Sequence, residues 1–385
     1  MSITNENRDW KHEFEIAPGV VFLNHATFGP VPRKGRLAVE DLLRRQGRLE
    51  SDPDVDDESY ALLAAAKNDF AGLIGQRPER VAFVPNASFA LNALLWGLDL
   101  RAGERVLVAE NEFPAIVYAV RNLALRLGLQ VERLPCPDGH VAMETLKQAL
   151  RQGAAALPIS WVQYFNGYRY DAESLAQLCH THRCLLILDA SQGAGAIPMG
   201  MAEAGVDAVA CGAQKWLLGQ TGAGFFSIAE NPIRPIRPLY AGWLGYDWGY
   251  RFGDLQRWDR PLYDDGRRWE VGSYPYYSLR LAAAGVALLA ECGIAGVYSR
   301  TQALIERLVR GLEGTRYPVQ QFDDPDHRSA IVAVSGPHCE ALREHLSARR
   351  IHVALREGNI RVSPHFYNSV DDIDALVEEV RGFDR

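Results

Sequence analysis

Short apolar runs alternate with amphipathic stretches over most of the first 230 residues, and this alternation restricts the chain to few folds. The apolar runs are RVAFV (80–84), ERVLVAE (104–110), AAALPISWV (154–162), CLLILD (184–189) and AVACG (208–212). They are too apolar to have a solvent-facing side, whereas the stretches between them have helical periodicity. The pattern predicts a mostly parallel sheet that helices cover on both faces. Ligands bind such sheets at the carboxyl ends of the strands.

A second unit follows a Pro- and aromatic-rich segment that begins near residue 232. A long apolar helix is predicted from Ser278, and beyond it lies a smaller α+β unit with strands at SAIVAVSG, IHVAL and NIRVSP. The last helix is predicted to begin after Ser369, because Asp372 stands three residues on and completes a capping box.

Composition and charge exclude several classes of partner. The chain has 41 basic and 48 acidic residues and a net charge of −7, whereas nucleic acid or an anionic membrane needs a concentrated basic face. No apolar run approaches the roughly 20 residues that span a bilayer. The six cysteines are scattered, and the N-terminus has no signal-peptide core. We therefore expect a cytoplasmic chain without nucleic-acid or membrane partners.

Four potential metal ligands fall between Cys179 and Cys184. Helical spacing places Cys179 on the buried face of a helix that begins at Asp171, and Cys184 opens the next buried strand. Ligands divided between a helix end and a strand interior do not readily converge on one ion. No metal site is predicted.

Three strand ends carry residues that could perform chemistry. Asn86-Ala87-Ser88 opens a helix after the first run, and it is either an anion site or a simple helix cap. Asp189 ends CLLILD, where a buried acid requires a cation or several donors, although a capped turn is the alternative. Lys215 follows AVACG, and it is either a desolvated, nucleophilic lysine or a surface lysine with its amine in water.

The order of these features points to one ligand. Pyridoxal 5′-phosphate (PLP) suits this order: an anion-binding helix start comes first, then Asp189 with Gln192 three residues on, then a lysine 26 residues beyond the aspartate. Its phosphate binds a helix N-terminus, its pyridine nitrogen pairs with an aspartate, and its aldehyde forms a Schiff base with a lysine. The sequence has no dinucleotide fingerprint, GxSxG motif or P-loop.

The chain resembles the class V aminotransferase family of fold-type I PLP-dependent enzymes, which includes cysteine desulfurases, selenocysteine lyases, kynureninases and isopenicillin N epimerases. The most specific matching segments are LILDASQ, CGAQKWLLGQTGAGFF and NIRVSPHFYNSVDDID. The resemblance implies an α/β fold with a mostly parallel seven-stranded sheet in the large domain and a smaller α+β C-terminal domain. We predict an N-terminal segment over residues 1–49 that packs with the small domain, a large PLP-binding domain over 50–277 and a small domain over 278–385.

The same resemblance assigns roles by position. Lys215 would hold the cofactor as a Schiff base and Asp189 would pair with its ring nitrogen; these are the predicted catalytic residues. Arg361 would bind the substrate α-carboxylate, and Asn24 is a second predicted substrate-binding residue. The other predicted cofactor contacts are Ala87, Ser88, Phe113, Gln192, Gln214 and, from the partner in a homodimer, Ser273.

We predict a lyase (C–S cleavage or β-elimination) or an epimerase that acts at Cα or Cβ of an L-amino acid or its derivative. The segment from Ala341 to Arg361 has no cysteine, which disfavours the persulfide route of a desulfurase. No second arginine for a dicarboxylate is identifiable, so an aminotransferase is the alternative and a non-catalytic PLP-binding protein a further one. The aromatic-rich stretch from Tyr240 to Tyr277 predicts a pocket wall, a dimer interface or both.

Overall fold

The computed structural model describes residues 10–48, 54–249, 252–254 and 256–384. Its helices are α1 (Arg33–Gly47), α2 (Asp54–Ile74), α3 (Ala87–Trp96), α4 (Pro114–Leu127), α5 (Met143–Arg151), α6 (Ala172–Thr181), α7 (Met201–Ala204), α8 (Tyr276–Cys292), α9 (Ile294–Leu312), α10 (Cys339–Ala348) and α11 (Val370–Asp384). Its strands are β1 (Val21–Phe22), β2 (Val81–Val84), β3 (Arg105–Ala109), β4 (Gln130–Leu134), β5 (Ala156–Ser160), β6 (Leu185–Asp189), β7 (Ala208–Gly212), β8 (Gly224–Ile228), β9 (Val332–Val334), β10 (Ile351–His352), β11 (Ala354–Arg356) and β12 (Asn359–Val362).

A seven-stranded sheet in the order β2-β8-β7-β6-β5-β3-β4 forms the centre of the larger part of the chain. The pairs from β7 to β4 are parallel, and β8 runs antiparallel to both β2 and β7. The predicted mostly parallel seven-stranded sheet is therefore confirmed. Alternate residues of β6 enter different cores, Leu186 and Leu188 on one face and Leu185 and Ile187 on the other, as expected when helices cover both faces.

The smaller part contains a three-stranded sheet in the order β11-β12-β9, which is antiparallel throughout. Helices α9, α10 and α11 pack on it around one core, and Leu23 from the N-terminal segment enters the same core. Strand β1 pairs in parallel with β10. The predicted strand IHVAL is divided at Val353, because β10 pairs with β1 whereas β11 pairs with β12. The proposed domain boundaries stay a prediction.

The last helix begins with the predicted capping box. The backbone N–H of Asp372 donates to Ser369 Oγ at 3.2 Å, and the N–H of Ser369 donates to Asp372 Oδ2 at 3.1 Å. The long helix that was predicted from Ser278 begins two residues earlier, at Tyr276.

No single helix in the described part of the chain is long and apolar enough to cross a membrane. Helices α8 and α9 pass that test only as a pair, which is bent by 83°. Among the described residues, no group of three or more His, Cys, Asp or Glu side chains is arranged to hold a metal ion.

Candidate active site

One cleft opens where β2, β3, β5, β6 and β7 end, at the carboxyl edge of the large sheet. Its space, including the open mouth, amounts to about 490 Å³. Its lining residues are Asn86, Ala87, Ser88, Phe113, Ala115, Ser160, Val162, Tyr164, Asp189, Ser191, Gln192, Gln214 and Lys215. The structure thus brings together seven of the predicted residues, which are Ala87, Ser88, Phe113, Asp189, Gln192, Gln214 and Lys215.

The start of α3 forms one end of the cleft. Asn86 caps this helix, because its Oδ1 accepts a hydrogen bond of 2.8 Å from the N–H of Phe89. The first N–H groups of a helix have no acceptor inside the helix. Ala87 and Ser88 line the cleft, and the positive end of the helix dipole at this helix start favours an anion.

Asp189 ends β6 and is 6% exposed. Its Oδ1 accepts a hydrogen bond of 2.9 Å from the N–H of Ser191. Gln192, in the following turn, is held at both ends of its amide: Nε2 donates to Ala26 O at 3.0 Å, and Oε1 accepts from Trp216 Nε1 at 2.9 Å. Because an amide nitrogen carries two hydrogens, Gln192 retains one donor for a ligand.

Lys215 follows β7 and is half-buried. Its Nζ lies 5.3 Å from the centroid of the Phe113 ring. Burial lowers the pKa of Lys215 from its usual 10.5; the negative charge of Asp189 opposes this shift, and the positive charge of Arg361 adds to it. A lowered pKa leaves more of the lysine amine neutral at neutral pH, and the neutral amine is the form that acts as nucleophile or base.

Arg361 lies on β12, beside the cleft, and is 1% exposed. Its Nη1 donates to Tyr164 O at 2.7 Å, and its Nη2 donates to Thr27 Oγ1 at 2.6 Å and to Asn24 Oδ1 at 3.3 Å. Burial and the neighbouring Arg356 lower the pKa of Arg361 to about 9, so the guanidinium stays charged at neutral pH. No carboxylate of the described chain forms an ion pair with it, and a buried cation without an acid is costly until an anion binds.

Sequence reasoning missed Arg356, a second cation beside Arg361. Its Nη2 donates to Thr27 Oγ1 at 3.4 Å, so both guanidinium groups share one hydroxyl. In the register of the β11–β12 hairpin, Ala354 is paired with Arg361, so Arg356, two residues further along β11, lies on the same face. The Glu357-Gly358 pair between two stretches of alternating apolar and polar residues is a hairpin signal, and it could have predicted that Arg356 lies beside Arg361.

Ser273 is exposed on the loop before α8 and does not line the cleft of its own chain. Its predicted contact with the phosphate in a partner subunit stays a prediction. The described aromatic residues between Tyr240 and Tyr277 do not line the cleft either. Their exposed members are Tyr240, Trp243, Tyr246, Trp258 and Tyr277. Tyr250 and the side chain of Phe252 are outside the described part of the chain.

A sequence model of the class-V aminotransferase family matches residues 44–376. The chain belongs to the class-V aminotransferase family. The predicted family is confirmed, and with it pyridoxal 5′-phosphate as the cofactor. The protein is therefore a PLP-dependent class-V enzyme.

Three known proteins illustrate the similarity. The "uncharacterized aminotransferase YcbU" of Bacillus subtilis (strain 168) is 26% identical over 317 residues, which cover 82% of this chain and 82% of the relative. Isopenicillin N epimerase of Amycolatopsis lactamdurans is 29% identical over 404 residues, which cover 96% of this chain and 97% of the relative. The cystine C–S lyase C-DES has been solved with glycine covalently linked to PLP. It aligns with a TM-score of 0.85 at 21% identity, and the alignment covers 96% of this chain and 98% of that chain. This last likeness confirms the predicted fold class.

The cleft of the class-V enzyme contains the groups that PLP requires. The open start of α3 suits a phosphate, Asp189 suits a protonated ring nitrogen, and Lys215 suits an aldehyde. The amide of Gln214 also faces the cleft, and its buried Oε1 has no hydrogen-bond partner among the described residues. Such an orphaned polar atom is expected where a ligand completes the site.

Proposed function

We propose that this class-V enzyme binds an L-amino acid or amino-acid derivative in the cleft and catalyses a lyase reaction (C–S cleavage or β-elimination) or an epimerisation through Lys215. The observation that carries the proposal is the placement of Lys215 and Asp189 in one cleft, with the buried Arg361 bonded to Tyr164 in its wall. Bound PLP supplies an electron sink that stabilises negative charge at a substrate carbon.

Arg361 binds and orients the substrate. Its planar fork of N–H groups suits bidentate binding of the α-carboxylate, and its hydrogen bonds to Tyr164, Thr27 and Asn24 fix the fork in place. Asn24 thus acts on the substrate through Arg361. Because Arg361 is on a strand, the position of the carboxylate sets the position of Cα relative to Lys215.

Lys215 and Asp189 move and hold the protons. Lys215 would hold the cofactor, and its Nζ, once free, would accept the proton from the substrate Cα. The lowered pKa of Lys215 supports this role, because the neutral amine is the base. Asp189 would accept a hydrogen bond from the ring nitrogen and keep its proton in place. Phe113, Gln192, Gln214 and the start of α3 line the same cleft and would hold the cofactor.

Two observations favour a lyase or epimerase over a desulfurase. The nearest cysteine before Arg361, Cys339, is buried in the small core at the start of α10, where its Sγ lies 3.3 Å from Gly336 O. A cysteine held there does not reach a substrate in the cleft. The relative named isopenicillin N epimerase also matches this chain over nearly its whole length.

An aminotransferase is the second candidate, and Arg356 favours it. The sequence-based preference for a lyase or epimerase depended on the lack of a second arginine for a dicarboxylate. Arg356 supplies such a cation beside Arg361, and an amino acid or keto acid with two carboxylates would use both guanidinium groups.

We also propose a cytoplasmic homodimer in which Ser273 contacts the cofactor phosphate of the partner. The free cysteines suit a reducing compartment, and exposed aromatic residues such as Trp243 and Tyr246 are typical of interfaces. Sedimentation should give a dimer, and Ser273→Ala should weaken PLP binding without changing the sedimentation coefficient. A monomer with full activity would contradict both statements.

The function is tested by trapping and by product analysis. The purified protein should absorb visible light, and borohydride should fix PLP to Lys215 by mass spectrometry. Lys215→Ala should lose turnover, whereas Lys147→Ala, on the exposed face of α5, should retain it. With a panel of amino acids, pyruvate and ammonia indicate β-elimination, sulfide indicates C–S cleavage, and loss of optical rotation alone indicates epimerisation. Release of a keto acid with conversion of the cofactor to its amine form would establish the aminotransferase instead.

A further inference from the structure

A buried carboxyl group, Glu112, lies against the wall of the cleft without a part in the reaction proposed above. It stands between β3 and α4 and is 6% exposed. Its Oε1 accepts a hydrogen bond of 2.8 Å from the N–H of Ser160, and its Oε2 accepts bonds of 2.5 Å from Ser160 Oγ and 3.2 Å from the N–H of Phe113. Gln163 Nε2 also donates to Oε1, at 3.4 Å. These bonds tie the turn that carries Phe113 to the end of β5.

The negative charge of Asp189 acts on Glu112. Ser160 is the register partner of Asp189 in the β5–β6 pair, so Glu112, Ser160 and Asp189 lie at the ends of three adjacent strands, β3, β5 and β6. The charge of Glu112 also acts on Cys136 and Tyr170. Within the described chain, no lysine, arginine or histidine forms an ion pair with Glu112.

We propose that Glu112 is a positioning residue of the cofactor site, which fixes the Phe113 ring opposite Lys215 and, through its own charge state, adjusts the electrostatic environment of Asp189. The inference deepens the proposed function, because it depends on the role given there to Asp189.

The charge state of Glu112 changes near neutral pH. Burial raises the pKa of Glu112 from 4.5 to about 7; the charge of Asp189 adds to the shift, and the hydrogen bonds from Ser160 oppose it. Below that pH the carboxyl of Glu112 is neutral and adds no charge beside Asp189. Above it a second negative charge is added, which attracts a protonated ring nitrogen bound at Asp189.

The raised pKa of Glu112 makes the stability of the cofactor-free protein fall as the pH rises. An acid whose pKa is raised on folding stabilises the fold while it is protonated, so this contribution is full below pH 4.5 and is lost as the pH rises through about 7. A shift of this size changes the folding equilibrium on the order of a hundredfold. Glu112→Gln, which is neutral at every pH and close in size, removes the dependence.

The first measurement is chemical unfolding of the cofactor-free protein between pH 5 and 8. The unfolding equilibrium constant of the wild type is divided by that of Glu112→Gln at each pH. This ratio should rise on the order of a hundredfold across this range. The matched control is Glu110→Gln: Glu110 lies two residues earlier, is exposed and accepts the N–H of Cys136 at 2.9 Å, so it reports the effect of the same substitution at an exposed position. A hydrogen-bonding role alone would give a constant ratio for Glu112→Gln, and that result overturns the inference.

The second measurement is the dissociation constant of PLP, from absorbance titrations of the cofactor-free proteins. At pH 6 Glu112→Gln should bind PLP within about threefold of wild type, and at pH 8.5 it should bind about tenfold more weakly, as expected from loss of about 1.4 kcal/mol of charge attraction. Glu112→Ala should bind more weakly at both pH values, because the Phe113 turn loses its anchor. A ratio that does not change with pH overturns the effect on Asp189. Failure of the wild type to bind PLP would instead contradict the proposed function, and the unfolding measurement would still report on Glu112.

Discussion

Replacement of Arg361 by methionine should stabilise the substrate-free protein while it removes substrate binding. Arg361 is 1% exposed, and its three hydrogen-bond acceptors, Tyr164 O, Thr27 Oγ1 and Asn24 Oδ1, are uncharged. No acid of the described chain compensates its charge. The protein therefore keeps a buried cation that only an anionic ligand neutralises, and methionine fills similar volume without that charge.

The magnitude follows from the pKa of Arg361. Its fall from 12.5 to about 9 corresponds to roughly 5 kcal/mol of unfavourable free energy for the charged form, at about 1.4 kcal/mol per unit. The substitution also removes three hydrogen bonds, which contribute about 1 kcal/mol each. The expected net effect is an increase of about 2 kcal/mol in the free energy of unfolding, within the range of about 1–4 kcal/mol seen when buried ions are replaced by apolar groups.

The assay is urea unfolding at neutral pH, without and with the amino acid that the panel identifies as substrate. The substrate should raise the unfolding midpoint of the wild type but not that of Arg361→Met, because only the wild type retains the carboxylate-binding group. KM should rise by at least about a hundredfold, as for a lost buried charged contact of about 3 kcal/mol. Arg307→Met is the control: Arg307 is exposed and pairs with Asp374 on the surface, so its effect should stay within about 1 kcal/mol.

A substrate-free Arg361→Met protein that is less stable than wild type by about 2 kcal/mol or more would refute this reasoning. That result would mean that the folded protein itself compensates the charge of the Arg361 guanidinium. Retention of substrate protection in the variant would refute the assignment of the carboxylate to Arg361.

Two further predictions concern Asp189 and the buried histidines. Asp189→Asn should lower kcat/KM by at least about a hundredfold, because an amide does not hold a proton on the ring nitrogen as a carboxylate does, and a loss below threefold in steady-state assays would contradict this role. Burial lowers the pKa of His365 from 6.5 to about 3 and that of His25 well below 6.5, so stability present above pH 6.5 is lost as the pH falls. His365→Asn should reduce this loss by up to about 1.4 kcal/mol per pH unit in unfolding experiments, and an unchanged pH dependence would show that His365 does not titrate.

The sequence was sufficient for the parallel strands of the large sheet and for most of the cleft. The apolar runs predicted β2, β5, β6 and β7 because strands buried on both faces need no polar residue, and parallel strands end at the same edge. Residues that follow these strands, such as Ser88, Asp189 and Lys215, therefore had to lie together. The caps at Asp171 and Ser369 were also predicted, because a cap depends on residues only two or three apart.

Elements that depend on distant partners could not be predicted in this way. Strand β8 follows a Gly-rich turn and was not identified as a strand, because it owes its conformation to β2 and β7 on either side of it. The division of IHVAL at Val353 depends on β1, more than 300 residues earlier in the chain. Glu112 was missed for the same reason: its burial depends on Ser160 and Gln163, and an isolated glutamate between a strand and a helix is usually exposed.

The burial of Arg361 gives a physical reason for its predicted role that the sequence alone does not provide. Its role was predicted only from the family resemblance, because its three partners lie 197, 334 and 337 residues away along the chain. The structure gives an independent physical reason, since β12 and the segment that follows β1 bury the guanidinium without an acid. A protein would gain stability by losing such a charge. Its retention beside a lysine with a lowered pKa is therefore best explained by a ligand that brings the missing negative charge.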